Sequence, residues 1–341
     1  MKKVAINGFG RIGRAFFRIA HGCSDLDIVA INDPFISPDQ ARYLLQYDSV
    51  YHRYDRDVDT YKKTDIQGNI TEQGIVVSGR NIPLLSQKEP SNLPWRKLEI
   101  EVVIESTGAF LSREKASLHL SGGAKKVLLS APAKDKDIPQ IVYGVNTDAY
   151  DKENDLIISA ASCTTNSLAP VAYVLEKEFG IVHGLMSTVH GYTADQRLVD
   201  SPHSKYPRGR AAAVNIVPTT TGAATATTKV IPSLAGKMDG MAFRVPVPVG
   251  SATDFTVVLR KEATPEQIKK AMQKYAGGEL KDVLLVAKDQ IVSSDIIGET
   301  HASIFDSSWT RVIDGHMAKL VTFYDNEWGY TNQLVRMAKI F

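Results

Sequence analysis

The chain is poor in cysteine. Of its 341 residues only Cys23 and Cys163 carry a thiol. Two cysteines build neither a disulfide framework nor a zinc quartet, so no metal is expected, and the usage suits a reducing compartment. There is no run of about 20 apolar residues to cross a bilayer. The basic start at residues 1–6 leads into an apolar run too short for a signal peptide, and Asn7-Gly8 interrupts it. Charge of one sign is also lacking. The formal net charge is +2, so the sequence demands neither a nucleic acid nor a membrane surface as partner. No sequence repeat and no low-complexity tract occurs. Together these absences point to a cytoplasmic globular protein.

What is present is ordinary in bulk, with 43% hydrophobic and 23% charged residues, and a length that suits two domains. The first informative stretch is Gly8-Phe-Gly-Arg-Ile-Gly13. A short apolar strand, residues 3–6, precedes it, and an apolar helical pattern with Ala15, Phe16, Ile19 and Ala20 follows. A second strand over residues 27–32 ends at Asp33, 20 residues after Gly13. Strand, glycine turn, helix and acid in this order form a dinucleotide-binding fingerprint. Gly8 makes the tight turn, Gly10 admits the pyrophosphate to the backbone, and Gly13 lets helix and strand approach. The helix N-terminus takes the phosphate charge. Asp33 accepts from a ribose hydroxyl and repels a 2′-phosphate, which selects NAD over NADP.

Alternation of strand and helix continues. Strands are expected at 101–105, 126–130 and 156–159, and helices at 40–47 and 113–120. The pattern predicts an α/β doubly wound sheet. After residue 180 the texture changes to longer apolar or alternating runs at 184–189, 240–247 and 254–259, with helices at 264–275 and 326–340. These predict an α+β region whose sheet is mainly antiparallel. Between them lies 192–217, polar, basic and without periodicity. Long irregular stretches inside compact domains are usually functional.

The chemistry centres on Ser159-Ala-Ala-Ser-Cys-Thr-Thr-Asn166. An amphipathic helix should follow, with Ser162 as its N-cap and Gly180 as its stop. Cys163 then sits in the first turn, where unpaired N–H groups and the helix dipole favour a thiolate. His190, at the end of a strand, is the candidate base. Arg244 interrupts an otherwise apolar strand, where an unpaired charge is costly. An anion ligand or a structural salt bridge could each account for it. Thr219-Thr-Thr-Gly222, Arg208 and Arg210 add further anion-binding chemistry.

The octad around Cys163 closely resembles the active-site signature of the phosphorylating glyceraldehyde-3-phosphate dehydrogenases, and the resemblance runs from Asn7-Gly-Phe-Gly-Arg-Ile-Gly-Arg14 to Asp325-Asn-Glu-Trp-Gly-Tyr330. It implies Cys163 as nucleophile and His190 as the residue that activates it. It assigns the substrate phosphate to Thr193 and Arg244, with Arg208 nearby, and inorganic phosphate to Ser162, Thr164, Thr221 and Gly222. NAD would be held through Arg11, Ile12 and Asp33, with Lys88 and Ser130 along the groove, Asn326 on the carboxamide and Tyr330 beside it. The implied fold is a Rossmann-type domain over 1–162, a catalytic domain over 163–325, and a last helix, about 326–341, returning to the first. The implied substrates are glyceraldehyde 3-phosphate and inorganic phosphate, in a homotetramer whose 192–217 loop approaches a neighbour's cofactor. Ser167, the Gly108-Ala109-Phe110 turn and the 249–254 stretch depart from the common pattern without touching an assigned role.

Two competing readings differ in kind. Erythrose-4-phosphate dehydrogenase shares the cysteine chemistry, but His190-Gly-Tyr-Thr193 and Thr220-Thr-Gly-Ala-Ala224 follow the triose-phosphate pattern. A non-catalytic NAD-dependent sensor or nucleic-acid binder would not need the combined Cys, His, Thr and Arg set. The acid at position 33 yields a direct test: kcat/KM should be higher with NAD than with NADP, and Asp33→Gly should narrow the difference. Equal or better values with NADP in the unmodified protein would contradict the assignment.

Overall fold

A computed structural model describes all 341 residues. They divide into two compact units, one of residues 1–139, 150–160 and 334–341, the other of residues 140–149 and 161–333. Ten residues before the cysteine segment thus belong with the second unit. Of the last helix, only the part from Leu334 clusters with the first.

The first unit follows the expected alternation: β1 (Lys2–Asn7), α1 (Arg11–Ala20), β2 (Leu26–Asn32), α2 (Pro38–Gln46), β3 (Val58–Thr64), β4 (Ile70–Val77), β5 (Arg80–Leu85), β6 (Val102–Glu105), α3 (Arg113–Ser121), β7 (Lys126–Leu129) and β8 (Ile157–Ser159). The eight strands form one sheet in the order β3-β4-β5-β2-β1-β6-β7-β8. Six are parallel, from β5 through β8, and the β3–β4 hairpin is an antiparallel edge. Parallel strands are buried on both faces and read as continuous apolar runs, as all four residues of β6 do. The glycine fingerprint works by lack of side chain. A Cβ on Gly13 would fall 2.1 Å from the Gly8 carbonyl oxygen, so only glycine lets α1 start this close to the end of β1. Gly8 itself has φ +94°.

The second unit comprises α4 (Cys163–Glu178), β9 (Ile181–Gly191), β10 (Val217–Thr220), α5 (Ala223–Val230), β11 (Met238–Val245), β12 (Ser251–Leu259), α6 (Pro265–Ala276), β13 (Leu284–Val286), β14 (Ser303–Ile313), β15 (Met317–Tyr324) and α7 (Trp328–Ile340). Its seven-stranded sheet runs β10-β11-β9-β12-β15-β14-β13. The β9–β11 and β13–β14 pairs are parallel and the other pairs antiparallel. The sheet is therefore mainly antiparallel, as expected. Helix α4 supplies much of the core with Leu168, Val171, Val174 and Leu175, all fully buried. Burying each such side chain is worth about 1.5–3 kcal/mol. Residues 192–216 hold only the short 3₁₀ turn Tyr206–Gly209. The long β14–β15 hairpin is not foreshadowed by the sequence reading, because a bulge between Asp306 and Arg311 breaks its alternation. No helix is long and apolar enough to cross a membrane.

Candidate active site

In the second unit, α4 begins at Cys163 with the Ser162 side chain accepting from the Thr165 N–H at 3.1 Å. The residue before the cap, Ala161, is fully buried with φ +58°. A non-glycine residue in this region is strained and is held only by its surroundings. Tyr330 contributes to that hold, its buried hydroxyl donating to the Ala161 carbonyl at 3.3 Å. Sequence patterning gave no sign of this left-handed turn, nor of Tyr330's part in it.

The turn brings the Cys163 Sγ to 3.4 Å from Nε2 of His190. His190 lies near the end of β9, directly paired with Arg244 of the parallel neighbour β11. This register explains the next contact: Arg244 Nη1 is 2.7 Å from His190 Nδ1 and 3.0 Å from the Gly191 carbonyl oxygen. That carbonyl also lies 2.7 Å from Nδ1. In the tautomer that leaves Nε2 bare toward the sulfur, Nδ1–H and Arg244 Nη1 both donate to this carbonyl; a bare Nδ1 would instead accept from Arg244 and put the proton on Nε2. Tyr324 packs its ring edge-on against the imidazole, centroids 5.9 Å apart. Its hydroxyl joins Thr164 Oγ1 at 2.9 Å and Thr188 Oγ1 at 2.7 Å. Tyr324 is a supporting residue that sequence reading missed, since an aromatic residue in a strand carries no signal of its partners.

Electrostatics set the resting state. Burial, then the Arg244 guanidinium, lower the His190 pKa to about 3, so the imidazole is neutral. Burial also pushes the Cys163 thiol up, opposed by Arg244, the Thr164 hydroxyl and backbone N–H groups of the first turn. Cys163 as a whole residue is half-buried. The expectation of a thiolate favoured by the helix end and His190 is corrected by this desolvation. The pair rests as thiol and neutral imidazole, and the helix end offsets part of the desolvation cost. Arg244 has no carboxylate partner, and its Nε is buried without a hydrogen bond. Nothing in the structure supports the salt-bridge reading of this residue.

The other anion-binding candidates lie on neighbouring segments. Arg208 Nε donates to Thr219 Oγ1 at 3.0 Å, and Arg208 pairs with Asp195. Thr221 and Gly222 precede α5, with Gly222 at its N-cap and open space where a Cβ would stand. Thr193 is half-buried, two residues beyond Gly191. Asn326 is buried, its Oδ1 accepting from Gly250 N–H at 3.1 Å and Ser251 Oγ at 2.9 Å.

In the first unit, Gly8, Gly10, Asp33 and Lys88 line a cavity of about 410 Å³ at the C-terminal ends of β1, β2 and β6. Open α/β sheets bind ligands at this position. Asp33 is fixed by two backbone donors, Phe9 N–H at 2.9 Å and Phe35 N–H at 3.0 Å. Each carboxylate oxygen keeps further acceptor capacity beyond its one backbone donor. At Gly10 nothing lies within 4 Å of the point a Cβ would occupy, which leaves room for a phosphate against the backbone. A dinucleotide fits these residues. Arg11 turns its guanidinium to Asp48, 2.9 Å away, and so does not line the cavity with its side chain. Ile12 lies in the first turn of α1, and Ser130 follows β7, its N–H donating to the Glu105 carbonyl at 3.0 Å.

A dinucleotide crossover in one unit and a thiol–imidazole pair flanked by an unpaired guanidinium in the other define a class: nucleotide-dependent oxidoreductases that work through a cysteine. Comparison with known proteins is more specific. Residues 2–113 match the family description "Glyceraldehyde 3-phosphate dehydrogenase, NAD binding domain", and residues 162–326 match its C-terminal domain. The chain is 51% identical over 335 residues to a glyceraldehyde-3-phosphate dehydrogenase of Streptomyces coelicolor, covering 98% of this chain and 96% of that one. It is 48% identical over 336 residues to that of Geobacillus stearothermophilus, covering 98% and 97%. With that of Mycobacterium avium it shares 50% over 344 residues, covering 99% and 98%. The chain belongs to the glyceraldehyde-3-phosphate dehydrogenase family.

The resting state predicts how Cys163 reacts. The thiolate is the nucleophile, and a thiol raised above its ordinary value is still mostly protonated at neutral pH. Alkylation of Cys163 by iodoacetamide should therefore climb with pH, by up to about tenfold per unit below the pKa. His190→Asn should slow it near neutral pH, and the difference should close in alkali. A rate already level from weakly acid to alkaline pH would show a preformed thiolate and contradict this.

Proposed function

We propose that the protein oxidises glyceraldehyde 3-phosphate to 1,3-bisphosphoglycerate, using NAD and inorganic phosphate. The observation that carries the reading is the 3.4 Å approach of the Cys163 sulfur to a neutral His190 beside the unpaired Arg244. As the sulfur bonds to the aldehyde carbon, its proton passes to His190 Nε2, and from there to the new alkoxide. The product of this step is a hemithioacetal on Cys163. Nε2, bare again, next takes the hydroxyl proton as the carbon is oxidised. Hydride acceptance is the chemistry that bound NAD supplies. The acyl group remains on Cys163 as a thioester. A phosphate oxygen then attacks its carbonyl carbon, the C–S bond breaks, and the sulfur leaves as the thiolate that first-turn N–H groups and Arg244 stabilise.

NAD is assigned to Gly8, Gly10, Arg11, Ile12, Gly13, Asp33, Lys88, Ser130, Asn326 and Tyr330. Arg11 and Ile12 would act through backbone N–H groups at the start of α1. Arg244 and Thr193, with Arg208, take the substrate phosphate. Ser162, Thr164, Thr221 and Gly222 take the attacking phosphate. Two anion sites are needed because the aldehyde and the nucleophile both carry phosphate. The working form is a cytoplasmic homotetramer. Support comes from the outer face of the second sheet, where Leu185, Met241, Val258 and Met317 are 38–67% exposed, an apolar area that a second copy would cover. Sedimentation at the mass of a monomer would refute the tetramer.

NAD reduction should require both the phosphorylated aldehyde and inorganic phosphate. Arg244→Leu should lower kcat/KM for glyceraldehyde 3-phosphate on the order of ten- to hundredfold, the loss of charge-assisted hydrogen bonds. Activity on unphosphorylated glyceraldehyde should fall much less. Equal losses on both substrates would make Arg244 a structural residue.

A further inference from the structure

The dinucleotide unit contains a buried polar cluster that the chemistry above does not use. Glu105 ends β6, His119 lies in α3, and Trp95 stands between β5 and β6; all three are fully buried. A buried carboxylate is costly unless donors surround it. Glu105 has four. Asn7 Nδ2 at 2.6 Å and His119 Nε2 at 3.1 Å meet one oxygen, while the Thr107 N–H at 2.8 Å and the Thr107 hydroxyl meet the other. Asn7 Nδ2 and His119 Nε2 are themselves 3.4 Å apart, as two donors sharing one oxygen would be. Trp95 Nε1 points at His119 Nδ1 across 3.1 Å. An indole N–H can only donate, so Nδ1 is the bare nitrogen and Nε2 carries the proton. His119 is therefore a neutral donor to Glu105.

This polarity continues outward. With its amide nitrogen committed to Glu105, Asn7 turns its oxygen to Asn32, whose Nδ2 donates across 2.7 Å. The same Nδ2 donates to the Gln87 carbonyl at 2.9 Å, and Asn32 Oδ1 accepts from the Gln87 N–H at 2.8 Å. Asn7, Asn32, Gln87 and Thr107 line the dinucleotide cavity, whereas Glu105, His119 and Trp95 do not. An amide and its flipped form have the same shape, so packing does not choose between them. Hydrogen bonding does, and here the choice traces back to one carboxylate.

We propose that Glu105, backed by His119 and Trp95, is a positioning residue for the dinucleotide: it fixes which donors and acceptors the cavity wall presents. The inference rests on the NAD reading above. Glu105→Gln keeps the shape but turns one acceptor oxygen into a donor. The Thr107 N–H cannot reverse, so the new NH₂ faces Asn7. Asn7 must then flip, which sets its nitrogen against that of Asn32 and breaks the row to Gln87.

The test is calorimetric titration with NAD. Glu105→Gln should raise Kd about tenfold, with kcat at saturating NAD within about twofold of the original. Damage to folding alone would lower the number of sites and leave Kd unchanged. Imidazole nitrogen NMR of the unmodified protein should show His119 as the neutral Nε2–H tautomer. An Nδ1–H tautomer, or an unchanged Kd in a folded Glu105→Gln protein, would overturn the proposal. Should that variant not fold, Trp95→Phe releases the tautomer lock. It should raise Kd by a smaller factor and mix the two tautomers, and an unchanged Kd there would likewise overturn the idea. Failure of the unmodified protein to bind NAD would instead refute the cofactor reading.

Discussion

The structure of the catalytic unit depends on placing a guanidinium, an imidazole and a thiol together without a carboxylate to neutralise them. Parallel pairing of β9 with β11 sets Arg244 beside His190, and the left-handed turn at Ala161 aims Cys163 at the far nitrogen of the same ring. Charge repulsion and burial make an imidazolium unfavourable here. Burial first, and repulsion from the guanidinium second, keep His190 neutral. The same guanidinium lowers the cost of a thiolate. Its Nε is buried without a hydrogen-bond partner. One residue thus adds to the burial that keeps the imidazole neutral and lowers the cost of a thiolate.

In the other unit the constraint is steric before it is electrostatic. Gly13 must lack a Cβ for α1 to start against the Gly8 carbonyl, and that closeness puts the helix N-terminus where pyrophosphate charge is needed. Behind the cavity wall a buried carboxylate satisfied by four donors gives the wall its polarity. Both units meet a requirement for buried polar groups, one by leaving a cation unpaired and the other by pairing an anion fully.

Features written in local sequence were legible. The glycine turn, Asp33 and the cap at Ser162 are short-range patterns, and every helix except α5 fell within a few residues of expectation, as did the strands that were expected. Cys163, His190 and Arg244, which the structure brings together, were singled out as well. The sequence could not show that β9 and β11 run parallel and bring the last two together, because register is a long-range property. Nor could it show the φ of Ala161, the hydroxyl contacts of Tyr324, or the row from Trp95 to Gln87, each of which joins residues far apart in the chain. The helix-end argument for Cys163 was local and correct in sign. It omitted the opposing desolvation, which only a three-dimensional environment supplies. The β14–β15 hairpin escaped because Asp306 and two serines interrupt its pattern where the strand bulges.

The central claim is that Cys163 carries the acyl group between oxidation and phosphate attack. Intact-protein mass spectrometry after mixing with glyceraldehyde 3-phosphate and NAD, without phosphate, tests it most directly. An adduct of the phosphoglyceryl mass should appear, map to the peptide containing Cys163, and disappear on addition of phosphate as acyl phosphate forms. An adduct discharged equally fast by water alone, or located on Cys23, would contradict the account.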